Sequence, residues 1–281
     1  MQIGEQIRKL RKKQGLTQAT FAERLFVTPQ AVSQWERGVT DPETDKLADI
    51  AAVLHTTVNK LTAGEASEQD WTIADALFSP DHMYSRIAVT AELKGLRETY
   101  AALRFMKEAH KGQYRKPSLF SDVKVPYIVH PLMMACHAHA LGIREDKILA
   151  SILLHDVCED CGVAPEELPF SEEVREAVRL LSFQVMPGET RADAKERYYA
   201  AIAENQIARI VKILDRCNNI STMASSFTQK KLVTYVNETE TYVMPLLEQA
   251  KYAVPEYADA FYLLKYHMRS VLESIKAMAA R

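Results

Sequence analysis

Along nearly all of this 281-residue chain, apolar residues return at helical spacing, and the segments they define are closed by Gly, Pro or Asn. An all-α fold is the expectation, because the alternation that marks half-buried strands is weak throughout. Ile3, Ile7 and Leu10 share one face of a first helix, ended by Gly15. Thr17 offers an N-cap for a short helix over 18–25. Thr28 then caps a third helix with Pro29 at its first position, expected over 29–37 and closed by Gly38. Asp41-Pro42 is a turn, Thr44 caps a fourth helix reaching Leu54, and a fifth spans 57–61. From Met83 to Ala279 the helical pattern resumes, without repeats or low-complexity tracts.

Between the two helical blocks, residues 65–82 (EASEQDWTIADALFSPDH) are acidic and broken by Ser79-Pro80, as in a linker with a helical turn or two. The expected organisation is a domain over 1–64 and a second over 83–281, and the length suits about two domains. Hydrophobic residues at 47%, with only 9 Gly and 11 Pro, exclude a disordered chain. No stretch approaches the roughly 20 apolar residues of a membrane span, and MQIGEQIRKLRKK has no apolar signal core. A cytoplasmic protein without a membrane partner is expected. Cys136, Cys158, Cys161 and Cys217 make no disulfide framework; Cys158-x-x-Cys161 lacks a second pair for zinc, and free thiols are expected.

A formal net charge of −2 argues against a whole-chain polyanion binder. The average hides an asymmetry: residues 1–40 hold seven basic groups against three acids, a local balance of +4. Five short helices with Phe21, Leu25, Val32 and Trp35 directed inwards, carried by LTQATFAERLFVTPQAVSQWERG and PETDKLADIAAVL, resemble the helix-turn-helix domain of Cro/repressor-type (XRE) regulators over residues 1–64. The resemblance implies a recognition helix over 29–37 on double-stranded DNA, with Gln30, Ser33 and Gln34 nearest base edges and Gln18 and Arg37 near phosphates. Gln can make the bidentate adenine contact, and small Ser permits close approach. The same fold also serves as a dimerisation or protein-binding module. Arg11 and Glu36 occupy positions suited to an internal ion pair.

In SILLHDVCED, residues 151–160, four largely apolar residues precede His155-Asp156 and then Glu159-Asp160. An apolar segment holds such groups only if they are paired or metal-bound. On one helix, His155 to Glu159 and Asp156 to Asp160 are i,i+4 pairs, so all four are expected to border one cavity. Three other pieces carry compensating residues: AHKGQYRK (109–116), PYIVHP (126–131) and VKILDRCNN (211–219). His130 and His155 with Asp156 and Asp215 suit a divalent transition metal such as manganese or iron, leaving Glu159 and Asp160 to orient or deprotonate water.

These pieces in this order are similar to those of HD-superfamily phosphohydrolases, and within them to the hydrolase domain of RelA/SpoT-type enzymes, over about residues 84–250. The resemblance implies an all-helical hydrolase domain following a five-helix DNA-binding domain. It further implies manganese held by His130, His155, Asp156 and Asp215, catalysis by Glu159 and Asp160, and a guanine nucleotide alarmone bound by Arg115, Lys116, Asn219 and Thr222. Hydrolysis at the 3′-diphosphate of (p)ppGpp is the implied activity. LFSDVK lengthens the loop after Arg115, and Asn218 stands where the family has His. The longer loop leaves NADPH or pyrophosphorylated RNA open as substrates, and a nucleotide sensor without turnover is the other alternative. An antitoxin repressing its own operon beside a toxin partner is an analogy such a fusion suggests; a homo-oligomer is compatible with it.

Overall fold

The computed structural model describes residues 3–43, 46–54, 56, 58–63, 79–116, 124–223 and 226–279, and the chain divides into two compact units, Met1–Thr72 and Ile73–Arg281. The described residues are helical with no strand; a lone antiparallel bridge joins Tyr114 and Pro126.

The first unit contains α1 (Ile3–Lys13), α2 (Gln18–Arg24), α3 (Pro29–Glu36), α4 (Lys46–Val53) and α5 (Val58–Ala63). Thr17 Oγ1 accepts from Thr20 N at 3.0 Å and Thr28 Oγ1 from Ala31 N at 3.1 Å, which satisfies amides that the first turns of α2 and α3 leave open. Thr44, expected as the next cap, lies outside the described residues. Ile7, Phe21, Leu25, Val32, Trp35, Ile50, Leu54 and Leu61 form the core. A Cβ on Gly4 would fall 1.7 Å from the Trp35 carbonyl oxygen, so α1 lies against the end of α3 only because Gly4 has no side chain.

The second unit begins its described part with α6 (Pro80–Lys94), so residues 80–82, expected in the linker, belong to a helix. Ser79-Pro80 is its start and not a break: proline lacks an N–H that the first turn would leave unbonded anyway. Residues 65–78 of the expected linker lie outside the described residues. There follow α7 (Arg97–Ala109), α8 (Val129–Ala140), α9 (Asp146–Leu154), α10 (Val157–Cys161), α11 (Glu172–Leu181), α12 (Arg191–Glu204) and α13 (Gln206–Thr222). The unit continues with α14 (Gln229–Glu238), a π-helical turn over Thr239–Val243, α15 (Met244–Ala253) and α16 (Ala258–Ala279).

Helix α9 is apolar on every side, with Ile148 to Leu154 all buried, and packs against α7, α8, α11 and α13. Its first residue, Asp146, accepts from Thr99 N at 2.7 Å and Glu98 N at 3.1 Å, capping the start of α7 from a different helix. Asn205 accepts from Ala208 N at 2.9 Å and starts α13. Among the described residues, no helix is long and apolar enough to cross a membrane.

Candidate functional site

The apolar run of SILLHDVCED is the buried end of α9, but the helix does not continue through the charged residues. It stops at Leu154, and α10 starts at Val157. Asp156 has ψ of −2°, and His155 Nδ1 donates to Ile152 O at 2.8 Å, using a carbonyl at the end of α9. The single helix expected over His155 to Asp160 is thus interrupted, and its four polar residues do not all face one space. His155, Asp156 and Glu159 line a cavity of about 880 Å³; Asp160 is exposed and is not among its lining residues.

The cavity wall carries a compact donor set. His130, at the start of α8, has Nε2 3.2 Å from Asp215 Oδ1 on α13, and His155 Nε2 lies 2.9 Å from Asp156 Oδ2. Donor atoms of His130, His155 and Asp215 all lie within 4.8 Å of one another, and all three residues are buried. Asp156 stands beside them, 3.9 Å from His130 Nε2 and holding the Tyr127 hydroxyl.

Both imidazoles are oriented from behind. His130 Nδ1 donates to Asn218 Oδ1 at 2.7 Å and His155 Nδ1 to Ile152 O, which turns each Nε2 inwards. Burial alone would push the His155 pKa down, but Asp156 and then Asp215 outweigh it and lift it to about 9. Burial disfavours both carboxylates, yet His155 holds Asp156 below the usual range, and Lys212, with Nζ 3.0 Å from Oδ2, does so for Asp215. His155 Nε2 is buried, with Asp156 Oδ2 at 2.9 Å and Asp215 Oδ1 at 3.9 Å. Two inward imidazole nitrogens and two carboxylates converging at a cavity wall fit a divalent cation of intermediate hardness, whose charge would replace that of the imidazolium proton.

Asn219 donates to Asp215 Oδ1 at 2.5 Å and accepts from Arg115 Nη2 at 3.1 Å, linking the cluster to the Arg115 side of the cavity. Lys116 and Thr222 also line it. Of the lengthened LFSDVK loop, only Lys124 is described. Glu159 is open to the cavity, and its carboxylate accepts from Phe183 N at 3.2 Å. Burial, ahead of the opposing Phe183 hydrogen bond, raises its pKa.

Four participants were absent from the expected set: Tyr127, Lys212, Asn218 and the Phe183 amide. Lys212 stands one turn before Asp215 on a helix, a spacing that could have pointed to it. Asn218, noted only as a departure, orients His130. Nothing in the sequence ties Phe183 to Glu159.

In the first unit, Gln30 and Arg37 are exposed, Ser33 and Gln34 half-buried, all on or at the end of α3. Arg37 Nε donates to Ser33 O at 3.2 Å. Gln18 has an interior partner as well: its amide donates to Glu36 Oε2 at 2.7 Å, and Arg11 Nη2 reaches the same oxygen at 2.9 Å.

The first unit is a helix-turn-helix domain: residues 7–61 match the family described as Helix-turn-helix. The chain is also similar to enzymes of nucleotide metabolism. The guanosine-3′,5′-bis(diphosphate) 3′-pyrophosphohydrolase of Aquifex aeolicus is 31% identical over 153 residues, 53% of this chain and 21% of that protein. Its Vibrio cholerae counterpart is 29% identical over 148 residues, 50% and 19% of the two chains. The bifunctional (p)ppGpp synthase/hydrolase SpoT of Escherichia coli is 28% identical over 148 residues, 50% and 20%. The chain thus spans about a fifth of the length of these relatives. Among solved structures, ComR from S. thermophilus, in complex with DNA and its signalling peptide ComS, aligns over 99% of this chain and 98% of its own at 16% identity, but a TM-score of 0.27 carries no weight.

Proposed function

We propose that the second unit is a metal-dependent phosphohydrolase that removes the 3′-diphosphate of ppGpp and pppGpp, and that the first binds a specific double-stranded DNA sequence, in the manner of an autoregulator. The observation that carries the hydrolase is the buried His130, His155 and Asp215 cluster, with Asp156 beside it, on the wall of a nucleotide-sized cavity. The pyrophosphohydrolase names of the relatives support the same chemistry.

His130, His155, Asp156 and Asp215 would hold the ion, for which manganese is our reading. A cation there would polarise a phosphoryl oxygen and would make hydroxide accessible near neutral pH. Glu159 takes the proton of the attacking water, a task its raised pKa suits. Water adds to the phosphorus nearest the ribose, the bond to the 3′ oxygen breaks, and that oxygen leaves with a proton, giving GDP or GTP and pyrophosphate. Arg115 and Lys116 bind base and phosphates, with Asn219 and Thr222 lining the space nearer the cluster. Asp160 would act on the water only indirectly, from outside the cavity lining.

Purified protein with manganese, offered ppGpp, pppGpp, NADPH and pyrophosphorylated RNA, tests this directly. GDP and pyrophosphate from ppGpp are expected, with no release in chelator. Tight ppGpp binding without turnover would replace the enzyme by a sensor, and turnover of NADPH alone would change the substrate. Equal affinity for selected and random duplex would overturn sequence-specific recognition.

A further inference from the structure

Glu159 is the proposed base, yet its own helix does little to hold it. Helix α10 has five residues, and among the described residues the Glu159 carboxylate accepts its hydrogen bond from the Phe183 backbone, 24 positions away. Phe183 opens the connection between α11 and α12, and that connection is tied to a single side chain. Arg197, on α12, grips Glu189 with both prongs of its guanidinium, Nε to Oε1 and Nη2 to Oε2, each at 2.8 Å. The same Nη2 donates to Gln184 O at 2.9 Å, on the residue next to Phe183. Glu189 Oε2 also accepts from Met186 N at 3.0 Å, across a turn that Gly188 completes at φ of 83°. The Phe183 ring is seated edge-on against Tyr198, with Arg191 above it.

An exposed ion pair ordinarily contributes little to stability, so a bidentate pair that also fixes two backbone groups is better explained by what it orients. We propose that Arg197 is a positioning residue: through Glu189 and Gln184 it sets the loop 183–189 so that the Phe183 amide aims the Glu159 carboxylate at the water to be activated. This rests on the hydrolase function proposed above. Neither Arg197 nor Glu189 lines the cavity, so neither touches substrate. Arg191 does line it, which separates the two arginines of α12 into one facing the ligand and one holding the loop.

The test uses the full chain with manganese and ppGpp, and reads kcat, KM and the hydrogen exchange of the Phe183 amide. Arg197→Gln is expected to lower kcat by about 10- to 100-fold, since misplacing a reacting group by about an ångström has effects of that order. KM should stay within twofold, and Phe183 exchange should rise while amides in α9 are unchanged. Arg197→Lys keeps a charge but not the fork, and should recover only part of kcat. Glu189→Gln, which keeps the shape of its partner, should reproduce the Arg197→Gln pattern and guards against a folding defect peculiar to one variant. Unchanged kcat in both variants, or a KM rise that accounts for the whole loss, would overturn the proposal. If the unmodified protein turns over no nucleotide, the hydrolase function falls separately; unchanged Phe183 exchange in Arg197→Gln would still overturn the clamp.

Discussion

In the first unit, Arg11 and Glu36 are buried and close on each other, and Gln18 donates to the same carboxylate. In the second, two imidazoles and two carboxylates meet at a cavity wall, with both Nε2 atoms and the carboxylate oxygens converging on one point beside open space. Both are charged clusters within mostly apolar surroundings, where unpaired charge is expensive. A closed set of donors and acceptors marks structure. A set whose metal-ligating atoms converge beside a cavity marks a place for something the chain does not supply.

The sharpest way to break this comparison is to remove one member from the open set. Asp215→Ala should weaken metal retention by more than about a hundredfold, beyond the range typical of groups that merely orient ligands, and abolish turnover. Equilibrium dialysis with manganese would show it, and Trp35 emission should be unchanged. Retained metal at wild-type affinity would remove Asp215 from the site.

Removing a member of the closed set should damage the other unit instead. Glu36→Ala strands Arg11, and breaking a buried pair costs about 3–5 kcal/mol. Trp35 is buried in the core of the first unit, so its fluorescence follows the thermal unfolding of that unit. Its midpoint should drop steeply while metal affinity holds. A midpoint unchanged within error would mean that the pair contributes no more than a surface bridge.

A smaller effect is expected from Asn218→Ala, which leaves every ligand in place but takes away the acceptor behind His130. Metal affinity should fall by about 10- to 100-fold, with activity recovered at high manganese. An unchanged affinity would make this Asn a packing residue.

The mildest expectation concerns pH. As the proposed base Glu159 would act deprotonated, and burial raises its pKa, so the acidic limb of kcat should lie above the ordinary Glu range and rates should fall as pH drops through it. Releasing the Phe183 amide through Arg197→Gln removes a bond that favours the carboxylate, and should move the limb further up. A limb at the ordinary Glu pKa would count against Glu159 as the base.

Much of the fold was legible locally. Thr17 and Thr28 could be recognised as caps because the interaction is made within three residues, and α3 followed from Thr28-Pro29 and Gly38. The expected linker ran three residues too far because Ser79-Pro80 serves equally well as a break or as a helix start, and only the packing of Met83 and Ile87 into the core selects the second. In the site, the four expected metal-binding residues are brought to one place. The expectation of one unbroken helix over His155–Asp160 failed for a physical reason: periodicity cannot register a ladder that opens when an imidazole takes a carbonyl at the helix end.

By itself, then, the sequence determined the all-helical character of the chain, its helix-turn-helix start and the identity of the candidate ligands, because helical period, caps and short motifs are properties of neighbouring residues. Tertiary structure alone decided that Asp160 lies outside the cavity lining, that Asn218 stands behind His130, and that Glu159 leans on an amide 24 residues away. Hydrogen-bond partners so far apart in the chain are chosen by packing, and no local spacing encodes them.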